Sequence, residues 1–437
     1  MTGPTSYFDP AHIGELDART ADLVRRRADA LGPAYRLFYR QPIEFVRGER
    51  AHLFDRDGAD YLDAYNNVPS VGHAHPRVVA AIAEQAARLN THTRYLSEAT
   101  IDYAEQLLAT FPGELGTPGR AHVMFTCTGS EANDLALRVA KAATGGEGVV
   151  VTWNAYHGVT TEVAGISPSL VGLDGMPPWA RAVRAPGRVP GGPGANIAEA
   201  VEATIGELAA FGIRPAALIV DTIFASDGVH PDVDGLVDAV AIMRKAGGLF
   251  IADEVQAGFG RLGDGMWGYA RHHLDPDIVT LGKPMGNGHP IAAMVTKREV
   301  LEPFAAGVRY FNTFGGNAVA IAAAQATLDV VRDEGLAGSA RAIGLRIADG
   351  VRAFGHPRIG EVRGAGLFLG VDLVDATGAP DEALTLDVVN GLRDRRVLVS
   401  STAADNATLK IRPPLVFDES DADRLLTELA AVLRNHG

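Results

Sequence analysis

Between about residues 120 and 295 the chain alternates short apolar runs with helical stretches, and this alternation limits the fold more than any other feature. The runs AHVMF, GVVVTW, ALIV, GLFIAD, DIVTL and IAAMV are interleaved with amphipathic segments at Glu131–Ala142, Ile197–Ala210 and Leu236–Lys245. Near-continuous Val, Ile and Leu in runs of this length, separated by helices, read as a βαβ series whose strands form a mostly parallel sheet. The predicted fold class is therefore α/β, with a doubly wound large domain. Before the series, IEFV, AHLFD and YLDAY lie close together with Arg/Gly and Asp/Gly breaks, the pattern of a small antiparallel meander. After it come an Ala-rich helix from about Asn317 to Arg332 and a tail that mixes helices with the runs GLFLGVDL and TLKI, as a smaller α+β domain would. A chain of 437 residues exceeds the usual single core. The expected division is an N-terminal segment over 1–65, a large domain over 66–330 and a small domain over 331–437. Two turn-rich stretches, Gly172 to Gly194 and Ser401 to Asn406, read as surface loops, with a lid over the active site as the alternative.

Charge and cysteine content remove several classes of function. Forty Lys and Arg against 53 Asp and Glu give a net charge of −13, which repels phosphate backbones and anionic lipid, so neither nucleic acid nor a membrane is an expected partner. The first residues have no basic region followed by an apolar one, and the longest low-polarity run, Ala318 to Ala326, is about half of the ~20 residues a span needs. A cytoplasmic protein is expected. Cys127 is the single cysteine, so an intramolecular disulfide is impossible, and it reads as a small buried thiol. His73 and His75, and the pair His272–His273, lack acids or cysteines at ligand spacing and read as structural, so no metal is expected.

The five lysines are Lys141, Lys245, Lys283, Lys297 and Lys410. Lys141 and Lys245 fall near helix C-termini, where a cation suits the dipole. Lys297 reads as an exposed helix start, and Lys410, alternating with Leu409 and Ile411, as a half-exposed edge position. Lys283 differs, because it follows the apolar run DIVTL directly and sits in GKPMGNGHP, presented at a strand's carboxyl end. In open α/β sheets ligands bind along that edge. A desolvated amine there has a lowered pKa and is a better nucleophile, as an imine-forming cofactor such as pyridoxal phosphate requires.

A second buried-type run, FIADE, ends in two acids, and a charge in such a place needs a partner. Asp253 can pair structurally with an arginine, or it can pair with the pyridinium nitrogen of that cofactor and keep it protonated. The glycines Gly258, Gly260 and Gly263 spell a formal GxGxxG, but they open no helix and lie in mid-domain, which argues against a dinucleotide site. In MFTCTGSEAN a strand passes through Thr128, Gly129 and Ser130 into a helix, which by itself reads as an ordinary N-cap and, taken together with Asp253 and Lys283, as a phosphate cradle of free N–H groups and a hydroxyl. Tyr156, in YHG after VVVTW, puts an aromatic ring at another strand end, suited to stacking on a flat heterocycle or to core packing.

With TGSEAN, YHG, DEVQAGFGRLG, GKPMGNGHP, NTFGGN and RPP together, the chain resembles the class III aminotransferases of pyridoxal-phosphate fold type I from about residue 40 to its end. That resemblance implies a large doubly wound domain and a small α+β domain built from the N- and C-terminal segments. It makes Lys283 the Schiff-base lysine and Asp253 the partner of the pyridine nitrogen. It further implies that Gly129 and Ser130 hold the cofactor phosphate, that Tyr156 stacks on the ring with His157 beside it, and that Gln256 bonds the phenolic oxygen. Thr313 would reach the cofactor of a neighbouring subunit, which implies a homodimer with shared active sites. Arg412 would take a substrate α-carboxylate through its bidentate fork. The family commonly carries Glu where this chain has Asp221, whose role the resemblance leaves open.

NNVPSVGHAHP, LNTHTRYL and GKPMGNGHP are also similar to phospho-lyases acting on phosphoethanolamine and phosphohydroxylysine. Both reactions begin when Lys283 removes the Cα proton. Arg412 points to amino transfer between an amine or amino acid and a keto acid, which is the preferred reading. Arg94, with Asn67 as a further substrate-binding candidate, points to the alternative, elimination of phosphate.

Overall fold

The computed structural model describes residues 7–185 and 196–436. Near the N-terminus β1 (Phe45–Glu49), β2 (His52–Asp55) and β3 (Asp60–Asp63) pair antiparallel, the expected meander. The central sheet holds β4 (Ala121–Thr126), β5 (Gly148–Thr152), β6 (Ala180–Val183), β7 (Pro215–Asp221), β8 (Leu249–Asp253), β9 (Ile278–Leu281) and β10 (Ala292–Lys297) in the order β4-β10-β9-β8-β7-β5-β6. Only β10 runs against its neighbours. The sheet is thus mostly parallel, and the carboxyl ends of β4, β5, β7, β8 and β9 lie along one edge.

Both faces of the sheet are covered, which explains why its strands carry no polar alternation. Val150, Leu218, Phe250 and Val279 pack with Ile197, Val201, Leu236 and Leu328, from the helices Ile197–Ala210, Leu236–Lys245 and Ala318–Asp333. The alternate residues Val149, Ala217, Ile219, Ile251 and Ile278 pack with Leu135, Leu137 and Val139 of the helix Gly129–Thr144. Period-2 side-chain geometry divides one apolar run between two cores.

Beyond the sheet, β11 (Ile359–Ala365), β12 (Phe368–Leu373), β14 (Ser400–Thr402) and β15 (Thr408–Ile411) form a second sheet in the order β11-β12-β15-β14. The two-residue β13 (Val397–Leu398) pairs parallel with β3, so the C-terminal segment completes the N-terminal meander.

Four sequence expectations change here. The stretch read as a loop from Gly172 to Gly194 contains β6, an edge strand too short to show a period, while its residues 186–194 lie outside the described residues. The Ser401–Asn406 loop begins inside β14, which pairs with β15. Lys410 consequently stands on an inner strand, not an edge. Lys297 is also not exposed: it is 7% accessible and bonds Asp275 at 2.8 Å and Asp277 at 3.3 Å. Among the described residues no helix is long and apolar enough to cross a membrane, and no group of three His, Cys, Asp or Glu could hold a metal.

Candidate active site

A cavity of about 260 Å³ opens at the carboxyl edge of the central sheet, lined by Gly129, Ser130, Tyr156, Asp253, Gln256 and Lys283 among others. They come from the ends of four strands, β4, β5, β8 and β9, or the turns that follow them. β9 delivers Lys283 through Gly282 into a single 3₁₀ turn, Lys283–Gly286, closed by Asn287 in the left-handed region at φ 49°. Three hydrogen bonds to the NNVPSVG segment brace that turn. Ser70 Oγ donates to the Pro284 carbonyl at 2.9 Å, while the Asn287 amide accepts from Val71 N and donates to Gly72 O, both at 2.9 Å. The lysine is therefore presented from a fixed backbone, with its Nζ 5.9 Å from the centre of the Tyr156 ring. Burial, and then the charge of Arg412, holds its amine below the usual lysine range.

Asp253 ends β8 and is buried. Its Oδ1 accepts from Val255 N at 3.0 Å, and its Oδ2 receives His157 Nδ1 at 2.7 Å and Asn133 Nδ2 at 3.0 Å. Thr280 in turn holds the Asn133 carbonyl at 2.6 Å. The second nitrogen of His157, Nε2, is buried and has no partner among the described residues. Sequence reasoning found Asp253 and His157 but not Asn133, which sits one turn into a helix and reads there as an ordinary polar residue.

At the start of the helix Gly129–Thr144 the ordinary cap and the cradle coexist. Thr128 Oγ1 accepts from Glu131 N at 3.1 Å, and the Glu131 carboxylate accepts from Thr128 N at 3.0 Å, a capping box. That arrangement leaves the amides of Gly129 and Ser130 without an acceptor among the described residues. Gly158 approaches closely: at φ 140° a Cβ there would lie 2.5 Å from Ser130 Oγ. Val159 N donates to the same hydroxyl at 3.1 Å.

Gln256 links the cavity to a second cluster. Its carbonyl accepts from Arg412 Nη1, and its amide lies 3.4 Å from Asp221. Arg412 Nε also donates to the Tyr65 carbonyl at 3.3 Å. Arg412 is buried, and no acid pairs with it among the described residues. Asp221 ends β7 and accepts from Ile223 N and Ala225 N at 3.1 and 3.2 Å. Burial, reinforced by Asp253, pushes its carboxyl up to about 6. Lys410, which sequence reasoning set aside, belongs to this cluster: it lies two residues before Arg412 on β15 and feels the charges of Arg412, Asp221 and Lys283. The signal for it was its spacing from Arg412.

Asn67, Arg94 and Thr313 stand apart from the cavity. Val68 lines it, whereas Asn67 is buried with an unpartnered amide nitrogen. Arg94 is exposed and stacks over Phe311 at 3.7 Å, in a separate groove. Thr313 is exposed. Cys127 lies at the cavity wall rather than in the core.

Three comparisons with known proteins identify what the chain is similar to. A model of the family described as aminotransferase class-III matches residues 38–433. A Drosophila melanogaster protein described as alanine–glyoxylate aminotransferase 2-like is 38% identical over 427 residues, 93% of this chain and 85% of the relative. The Caenorhabditis elegans ethanolamine-phosphate phospho-lyase homolog 1 is 35% identical over 97% of this chain and 96% of its own. A solved phospholyase from Arthrobacter, in complex with phosphoethanolamine, superposes with a TM-score of 0.89 at 40% identity, covering 94% of this chain and 99% of that one.

Proposed function

This chain belongs to the class-III aminotransferase family, and from that premise we propose that it eliminates phosphate from a phosphorylated amino compound such as O-phosphoethanolamine. The family's cofactor is pyridoxal 5'-phosphate, and the cavity fits it. The acceptor-free amides of Gly129 and Ser130 suit its phosphate, Asp253 its ring nitrogen, Gln256 its phenolic oxygen and the Tyr156 ring its face. Lys283 is the one lysine in the lining, and the unpartnered Nε2 of His157 is a polar atom left for a bound group. When bound, the cofactor supplies an electron sink for a carbanion at Cα.

The rest of the work falls to the chain. Lys283, its amine held below the usual lysine range, takes the Cα proton. His157 and Asn133 fix the carboxylate of Asp253 in one orientation. Arg412, linked to the cavity through Gln256, and Lys410 beside it would take the departing group. The observation that carries the reading is this pair: two cations two residues apart, Lys410 on β15 and Arg412 just past its end, with no ion-pair partner among the described residues. A phosphate dianion matches two cations, whereas an α-carboxylate is satisfied by one guanidinium. The likeness to a phospholyase that holds phosphoethanolamine supports the same choice.

Amino transfer to a keto acid, the reading preferred from sequence, retains one specific support. Arg412 is anchored through Nη1 and Nε, leaving its other amino group for a carboxylate. Arg94 weighs less for elimination within one subunit, because it lies outside the cavity. We also propose a homodimer. Tyr95, Leu96, Val159 and Phe314 are 67, 99, 67 and 69% exposed, an apolar set that a second subunit would cover, and Thr313 lies beside Phe314.

The test is to supply the purified, cofactor-loaded protein with O-phosphoethanolamine. Phosphate, acetaldehyde and ammonia in equal amounts are expected. Amino transfer to an added keto acid without phosphate release would overturn the proposal.

A further inference from the structure

The face of β15 that carries Thr408 and Lys410, with Arg412 just past the strand, turns toward the loop leading out of β7. On the opposite face, Leu409 and Ile411 enter a hydrophobic core. Contacts across the crevice are close: a Cβ built on Gly370, the cross-strand neighbour of Lys410, would lie 3.1 Å from Val229 Cβ and 3.2 Å from Gly228 O. Polar side chains on this face find partners. Thr408 donates to Asp372 at 2.6 Å, Thr402 on β14 donates to the Ala225 carbonyl at 2.7 Å, and Arg412 donates to Gln256. Lys410 lies between them with no hydrogen bond or ion pair among the described residues, flanked only by Gly370 and Ser400.

Elimination from a phosphate ester has a proton problem at this spot. The Cα–H electron pair becomes the Cα=Cβ bond, the Cβ–O pair leaves with the bridging oxygen, and Lys283 keeps the Cα proton. Without a further proton the leaving group departs as PO₄³⁻, far too basic to leave readily. Protonated at the bridging oxygen, it departs as HPO₄²⁻. We propose that Lys410 is the general acid that delivers this proton, while Arg412 holds the non-bridging oxygens. Lys410 ends neutral and regains its proton from water when phosphate leaves. The charged groups facing it are Arg412 and Lys283, which oppose its charge, and Asp221, which favours it. Burial and Arg412 bring its amine down to about 7, close to the range of phosphate itself.

This inference rests on the elimination reading, and the experiment separates their failures. O-phosphoethanolamine is compared with O-sulfoethanolamine, whose sulfate leaves without needing a proton. Lys410→Met should lose about a hundredfold more in kcat on the phosphate ester than on the sulfate ester. Lys410→Arg, which keeps the charge but holds its proton too tightly, should bind inorganic phosphate in calorimetry like the wild type yet show the same selective loss. Equal losses on both esters, or none, would overturn the role of Lys410. A wild-type enzyme that releases neither anion would refute the elimination reading itself, and this inference with it.

Discussion

His157 Nδ1 lies 2.7 Å from Asp253 Oδ2, in a pocket where both side chains are nearly inaccessible. Together with Asn133 and Val255 N, it gives the Asp253 carboxylate three donors on the cavity floor. Asp253→Asn would set an amide NH₂ against donors already in place and could not keep a ring nitrogen protonated. We expect cofactor retention, seen as visible absorbance, with kcat lowered at least about a thousandfold, on the order of 4 kcal/mol. Near-normal turnover would remove Asp253 from the mechanism.

Gly158→Ala tests the phosphate cradle. At φ 140° the position is strained for any side chain, and the new Cβ would meet Ser130 Oγ and Cα at 2.5 and 2.7 Å. The helix start must shift, so the cofactor should bind at least about tenfold more weakly, roughly 1.4 kcal/mol. Absorbance titration of the apoprotein measures this, and unchanged affinity would show that Ser130 and Gly129 do not hold the phosphate.

Arg412→Lys distinguishes the anions. A carboxylate needs the planar fork, so carboxylate-bearing substrates should lose about 1.5 to 3 kcal/mol, roughly ten- to a hundredfold in kcat/KM. A phosphate held partly by Lys410 tolerates a point charge and should lose far less. Arg94→Ala, at an exposed position outside the cavity, should affect phosphate release only if a partner subunit carries it to the site. Single-turnover kinetics of both variants provides the check.

Glu254 gives a pH signature of the fold. It is fully buried, and its oxygens accept from Thr222 Oγ1, Gly268 N and Tyr269 N at 2.6, 2.7 and 2.7 Å. Burial nevertheless pushes its carboxyl up to about 7. Between its unfolded value near 4.5 and about 7 the folded chain holds a proton that the unfolded chain has lost. Its contribution to stability is thus complete below the unfolded value and disappears as pH rises through the folded one. Glu254→Gln cannot titrate, so the Tm difference between variant and wild type should move in the variant's favour from pH 5 to pH 8. A pH-independent difference would contradict the raised value.

Much of this site was legible because buried parallel strands write themselves as uninterrupted apolar runs. DIVTL and FIAD end where the cavity begins, so Lys283 and Asp253 stood out as charges at the ends of hydrophobic segments. Lys410 was misread despite its two-residue spacing from Arg412. Its neighbour β14 is built from Ser and Thr in a stretch rich in turn formers, so β15 looked like an edge and its lysine like a surface residue. Lys297 misled for a related reason: its counter-charges, Asp275 and Asp277, come from a segment some 20 residues earlier that only the sheet brings alongside. Asn133 carried no signal, because its role depends on two partners more than 100 residues away, Asp253 and Thr280.

The central claim is that one lysine of five anchors the cofactor, and it can be read directly. The loaded protein is reduced with borohydride, digested, and the cofactor-bearing peptide identified by mass spectrometry, in the wild type and in Lys283→Ala. The adduct should map to Lys283 alone, and the variant should lose both the adduct and the visible absorbance while keeping its circular dichroism. An adduct on Lys410 or any other lysine, or one that persists in Lys283→Ala, would contradict the account.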